Sequence, residues 1–159
     1  LPSGDHTVRL NQKVETMNRL KIELPDHFSF ATVIPVRITD LNYGGHVGND
    51  NILSIIHEAR VQYLKNLGLD ELNMGGLGLI MSDVSIEFRS ELFYGDQIKA
   101  AVAAADFSKV GFVIYYRLEK QVGEKSVLVV AARTGMICYN YSSKKITSVP
   151  DEVRKILTV

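Results

Sequence analysis

From Ile80 to Tyr141 the chain passes through four strand-like stretches in succession, with no helical period between them. Ile80–Arg89 puts Val84, Ile86 and Phe88 on one face and Asp83, Ser85, Glu87 and Arg89 on the other. Gln97–Phe107 is small and apolar, Val110–Lys120 is rich in aromatic residues, and Ser126–Tyr141 is long. The links Tyr94-Gly95-Asp96, Ser108-Lys109 and Val122-Gly123-Glu124-Lys125 carry turn chemistry. Such a run makes an antiparallel sheet, and the sheet must find a cover for its apolar face.

The chain offers one long cover. Ile52 to Leu67 has a helical period, with Ile52, Ile55, Ile56, Ala59, Tyr63 and Leu67 on one side. Asn49 or Asp50 is placed to cap its start, and Gly68 stands where a left-handed residue ends a helix. A strand is expected before it over Thr32–Thr39, with Val36 and Ile38 alternating against Arg37 and Thr39. Pro35 confines that strand to a sheet edge or bulge. A short helix from Pro150 to Leu157 closes the chain, with Pro150 in its first turn. One strand, one long helix and four further strands give an α+β domain over residues 25–159. Residues 1–24 are read as a partly disordered or tag-like leader, in which Met17 is a possible natural start. The second face of Val110–Lys120 carries Val113 and Tyr115 beside Arg117 and Glu119. That face is more apolar than solvent requires and invites a second subunit.

Composition narrows the function. Lys and Arg number 18 against 18 Asp and Glu, so the electrostatic footprint of a nucleic-acid binder is lacking. No apolar stretch approaches the ~18 residues of a membrane helix, and Leu1-Pro2-Ser3-Gly4-Asp5-His6 does not read as a signal peptide. A cytoplasmic protein is expected. Cys138 is the only cysteine, which excludes an intrachain disulfide or a thiolate zinc cage. It is read as a buried, inert thiol. Neither a metal-ligand cluster nor a nucleotide fingerprint stands out, so no cofactor is expected.

Between the first strand and the helix lies Asp40-Leu41-Asn42-Tyr43-Gly44-Gly45-His46-Val47-Gly48-Asn49, followed in the helix by Glu58-Ala59-Arg60. Phe93-Tyr94-Gly95-Asp96-Gln97-Ile98 and Ile146-Thr147-Ser148-Val149-Pro150-Asp151-Glu152 follow in order. Together these resemble the hot-dog thioesterase superfamily, in its 4-hydroxybenzoyl-CoA thioesterase-like and acyl-CoA thioesterase branches, across residues 32–157. The resemblance implies a five- to six-stranded antiparallel sheet wrapped around one central helix. It also implies hydrolysis of acyl-CoA by general-base activation of water, in a homodimer or homotetramer with its site between subunits. Two positions depart from the family pattern: Asn42 stands where many members have a catalytic Asp, and Gly48 where an Asn is usual.

The loop supports that chemistry in part. Gly44-Gly45 permits close backbone approach to a ligand, and free amides at a helix start can polarise a carbonyl, although a tight turn alone would also explain the glycines. An imidazole is the side chain best suited to base work near neutral pH, and the match to the family's Gly-His-Val favours that role for His46 over a purely structural one. Asp50 is the nearest substitute carboxylate, with helix capping as its other reading. Asn42 can orient water but cannot serve as a base. Glu58 is a further candidate, because one branch uses a helix Glu across the dimer interface. Tyr43, Gly44, Gly45, Arg89, Lys109, Val110 and Gly111 are expected to contact substrate, with Arg89 or Lys109 at a CoA phosphate. An acyl-CoA-binding protein without turnover, and a 3-hydroxyacyl-thioester dehydratase, are the alternatives.

Overall fold

The computed structural model describes residues 18–159; Met17 and the residues before it lie outside them. Six strands form one antiparallel sheet: β1 (Phe30–Pro35), β2 (Gly78–Phe88), β3 (Gln97–Ala105), β4 (Gly111–Val122), β5 (Lys125–Asn140) and β6 (Lys145–Ile146). Their order is β1-β3-β4-β5-β2, with β6 paired to β5. The helices are α1 (Asn49–Asn66) and α2 (Asp151–Leu157). An antiparallel sheet with one long helix against it is the α+β hot-dog arrangement expected.

The helical period buries the residues it should. Ile52, Ile55, Ile56, Ala59 and Tyr63 meet Ile98, Val102, Ile114, Tyr116 and Leu118 in the core. Full burial of a side chain of this kind is worth about 1.5–3 kcal/mol. Arg60 is buried within the same layer. Its guanidinium bonds to Glu71 and donates to the Tyr116 hydroxyl at 3.3 Å, which pins the loop after α1 to the sheet. Gly68 ends the helix at φ +73°. Cys138 is fully buried, and burial pushes its thiol up.

Four local expectations change. The first strand stops at Pro35 instead of reaching Thr39, because the Asp40 carboxylate accepts the Arg37 amide at 2.8 Å and closes a 3-10 turn over Ile38–Asp40. Ile38 is consequently 66% exposed, against the alternation. The long helix begins three residues before Ile52, at Asn49. Its cap is Gly48, with no side-chain hydrogen bond, so neither Asn49 nor Asp50 caps it. Backbone does that work: the Gly48 amide donates to Asp40 O at 3.2 Å, and Gly48 O accepts from Asn51 and Ile52. Pro150 caps α2 from outside and does not form its first turn.

The fourth change concerns the outer sheet face. Leu20, Ile22 and Glu23, placed in the leader by sequence, line a cleft on this face with Ser85, Tyr115 and Arg133. Ile22 is buried, and its amide donates to Glu87 at 3.1 Å. The Arg117 guanidinium stands 4.7 Å above the Phe28 ring. The face around Val113 and Tyr115, expected to call for a second subunit, is therefore covered in part by its own chain. An uncovered apolar row lies on β2. Helix α1 packs over β1 and β3. A register shift between Met81 and Asp83 brings Met81, Val84, Ile86 and Phe88 to one side of β2, where Met81, Val84 and Phe88 are each about 40–50% exposed.

Candidate active site

The loop before α1 is a compact knot built on its own backbone. The Asn42 amide donates to His46 O at 2.8 Å, and the Gly45 amide donates to Asn42 O at 3.1 Å, with Gly45 at φ +80°. The Asn42 side chain accepts from the Gly44 amide at 2.8 Å. A Cβ on Gly44 would meet Asn42 Oδ1 at 3.1 Å and His46 Nε2 at 3.3 Å. The two side chains thus converge over a residue that has none, and glycine here gives room to the site. Beneath them Asp40 is buried, ion-paired with Arg37 at 3.0 Å, and its carbonyl accepts from Asn51 Nδ2 at 2.8 Å. Burial opposes ionisation of Asp40, but the hydrogen bonds and charge of Arg37 outweigh it and hold the carboxyl below its ordinary range.

His46 lines a cleft of about 270 Å³ with Val47, Asn49, Ile52, Phe88, Arg89, Ser90, Glu91, Leu92 and Val130. Its Nδ1 lies 3.3 Å from the Val47 carbonyl. A carbonyl only accepts, so a hydrogen bond here uses Nδ1–H, and in the neutral tautomer that makes it Nε2 bears the lone pair. Asn49 and Asp50 open the helix, and among the described residues no hydrogen bond uses their amides. Two free N–H groups with the positive end of the helix behind them suit a developing oxyanion.

The expected site residues do not all come together. Asn42, Gly44, Gly45, His46 and Arg89 gather at or beside this cleft, with Arg89 held by Glu87 at 2.7 Å. Tyr43 is fully exposed at the loop tip. Asp50 is exposed and outside the cleft lining; its Oδ1 lies 2.5 Å from where a Gly48 Cβ would stand, so glycine at 48 makes room for that carboxylate. Glu58 faces a second cleft of about 350 Å³ with Arg37, Asp40, Ser54 and Gln62, and accepts from Gln62 at 2.7 Å. Lys109, Val110 and Gly111 are not brought to His46. Gly111 is level with Ile137 on β5, and Phe88 with Val130. The seven residue steps between those levels span roughly 23 Å at about 3.3 Å each. The Lys109 and Val110 carbonyls there hold Val149 and Cys138.

One residue of the cleft went unnoticed in the sequence. Glu91 Oε1 stands 4.0 Å from His46 Nε2. No motif marks it: it follows the end of β2 in an ordinary polar stretch, and only the pairing of the two loops brings it to the histidine. Among the described residues, no group of three or more His, Cys, Asp or Glu side chains is placed to hold a metal ion. Among the described residues, no helix is long and apolar enough to cross a membrane.

Comparison with known proteins agrees with this architecture. A family model described as the thioesterase-like superfamily matches residues 36–157. No curated protein matches the chain. Among solved structures, a 1,4-dihydroxy-2-naphthoyl-CoA thioesterase from Synechocystis superposes with a TM-score of 0.73 at 22% identity, covering 81% of this chain and 95% of that one. A protein of the thioesterase superfamily from Jannaschia sp. CCS1 gives 0.74 at 16% identity, covering 85% and 84%. A gentisyl-coenzyme A thioesterase gives 0.70 at 18%, covering 80% and 99%. At these identities the likeness is one of fold.

Proposed function

The chain belongs to the thioesterase-like superfamily, and from that premise we propose that it hydrolyses acyl-CoA thioesters to a carboxylic acid and free CoA, with His46 as general base. The observation that carries this reading is one cleft holding three requirements together. His46 lines it, the Gly44-Gly45 turn leaves backbone space beside the ring, and Asn49, whose amide makes no hydrogen bond among the described residues, lines it at the start of α1. Water attacks the carbonyl carbon as Nε2 takes its proton; the amides stabilise the oxyanion; the thiolate leaves and recovers the proton. Asn42 positions the loop and the water without taking the proton. Arg89, half exposed at the rim, offers its charge to a CoA phosphate.

The working form is a homodimer joined along β2. Its outer edge pairs with no strand among the described residues, and Met81, Val84 and Phe88 form an apolar row that the single helix leaves bare. Lys109–Gly111 and Glu58 enter the site only where a second copy lends them to the first. Light scattering at micromolar concentration tests this; a stable 17.7 kDa monomer is the contrary result.

The deciding experiment is CoA release across a panel of aliphatic and aryl acyl-CoAs. The aryl members are prompted by the naphthoyl and gentisyl thioesterases of similar fold. Activity without added metal or cofactor is expected. A second reading, an acyl-CoA-binding protein without turnover, is favoured by Asn42 standing where a catalytic carboxylate is usual. Calorimetric binding of acyl-CoA with no release of thiol would establish it.

A further inference from the structure

Glu91 belongs to none of the motifs considered above, yet it is the carboxylate that lines the His46 cleft. Its backbone is fixed from two sides. Lys120 Nζ donates to Glu91 O at 2.7 Å and pairs with Asp96 at 3.2 Å, while the Val47 amide donates to Leu92 O at 2.9 Å. Asp96 in turn accepts the Phe93 amide at 2.9 Å, and His46 bridges Phe93 as an isolated strand pair. Leu92 is buried between these anchors, so the segment carrying Glu91 is clamped to the one carrying His46. Only the Glu91 side chain keeps freedom, and it is solvent-accessible in the single chain. The fixed backbone sets where this carboxylate can reach.

We propose that Glu91 is a second acceptor for the hydrolytic water, holding it between its carboxylate and His46 Nε2; this rests on His46 being the base. Two acceptors 4.0 Å apart suit one water. Hydrogen bonds of about 2.8 Å to each meet at roughly 90° at the oxygen, near the angle between water's own hydrogens. Both hydrogens are then engaged, and a lone pair is left to face the thioester carbonyl. The water oxygen bonds to the carbonyl carbon as one proton passes to Nε2. The other hydrogen stays on that oxygen, held by Glu91. The carbon–sulfur bond breaks, the thiolate takes the proton from the imidazolium, and the acid retains the second hydrogen. The Glu91 charge also favours the imidazolium during the step. In this arrangement the carboxylate missing at position 42 is supplied by the opposite wall of the cleft.

The test compares the parent protein, H46A, E91A, E91Q and the H46A/E91A double variant, measuring kcat, KM and melting temperature on an acyl-CoA that the parent cleaves. E91A is expected to lower kcat about 10²-fold, the scale of loss when the attacking water is no longer held in place, with KM and melting temperature little changed. E91Q should fall between parent and E91A, because its amide oxygen still accepts but carries no charge. With His46 removed, adding E91A should cost little more, since the two residues hold one water. An unchanged kcat in E91A, a change in KM alone, or equal losses in both backgrounds overturns the assignment while His46 stands. Full activity in H46A, or no turnover by the parent on any thioester, overturns the reading of His46 and this proposal with it.

Discussion

The side-chain oxygen of Asn42 accepts the amide hydrogen of Gly44 at 2.8 Å, which commits position 42 to shaping the loop in which His46 sits. A carboxylate oxygen would accept the same bond. Asn42→Asp is therefore expected to fold with an unchanged melting temperature, and to raise kcat by placing a negative charge beside His46 Nε2. Stopped-flow or continuous thiol assays decide this; a drop in kcat would show that the loop has adapted to a neutral residue.

Asp50 sits in the first turn of α1 without making a cap hydrogen bond. Removing its charge forfeits only its interaction with the helix dipole, about 0.5 kcal/mol. Asp50→Asn is expected to change kcat less than about threefold, against the ~10²-fold expected when a positioned acceptor is lost. A large fall in kcat at constant stability would return Asp50 to the chemistry.

Asp40 holds the loop from below. Its pKa in the folded protein is depressed, so its contribution is complete above the ordinary carboxylate value near ~3.9 and is lost as pH falls through the folded value. Asp40→Asn is expected to cost about 2 kcal/mol at pH 7, as a buried charged hydrogen-bond partner is removed. The gap to the parent protein should narrow below about pH 4. Urea melts across that range measure it, and a gap independent of pH would contradict the ion pair with Arg37.

Glu71 neutralises the buried Arg60 guanidinium, and His57 Nε2 lies 3.2 Å from its other oxygen. Glu71→Gln leaves Arg60 charged in the core beside the Tyr116 hydroxyl. A loss of about 3 kcal/mol is expected, at the low end for a buried charge left without its partner. Thermal unfolding reads it directly. Changing both members to apolar residues, in R60M/E71M, should recover most of the loss.

Apart from the 3-10 turn and β6, the order of elements was legible in local residues, as were the buried stripe of α1 and the α+β class. Each depends on residues a few positions apart: the period of Ile52, Ile55, Ile56, Ala59 and Tyr63, or the turn residues at Gly95 and Gly123. The sequence also marked the loop around His46, since glycines and a histidine before a helix are a local pattern. Tertiary structure decided the rest. Which carboxylate faces His46 depends on the Val47–Leu92 and Lys120–Glu91 bonds, which join segments distant in sequence. That Lys109 lies far from His46 follows from the register of β4 on β5. That Ile22 covers the outer face, while Met81 and Phe88 stay bare, follows from where α1 and residues 20–23 settle on the sheet. Periodicity says which side chains share a face; only the packed chain fixes what lies opposite them.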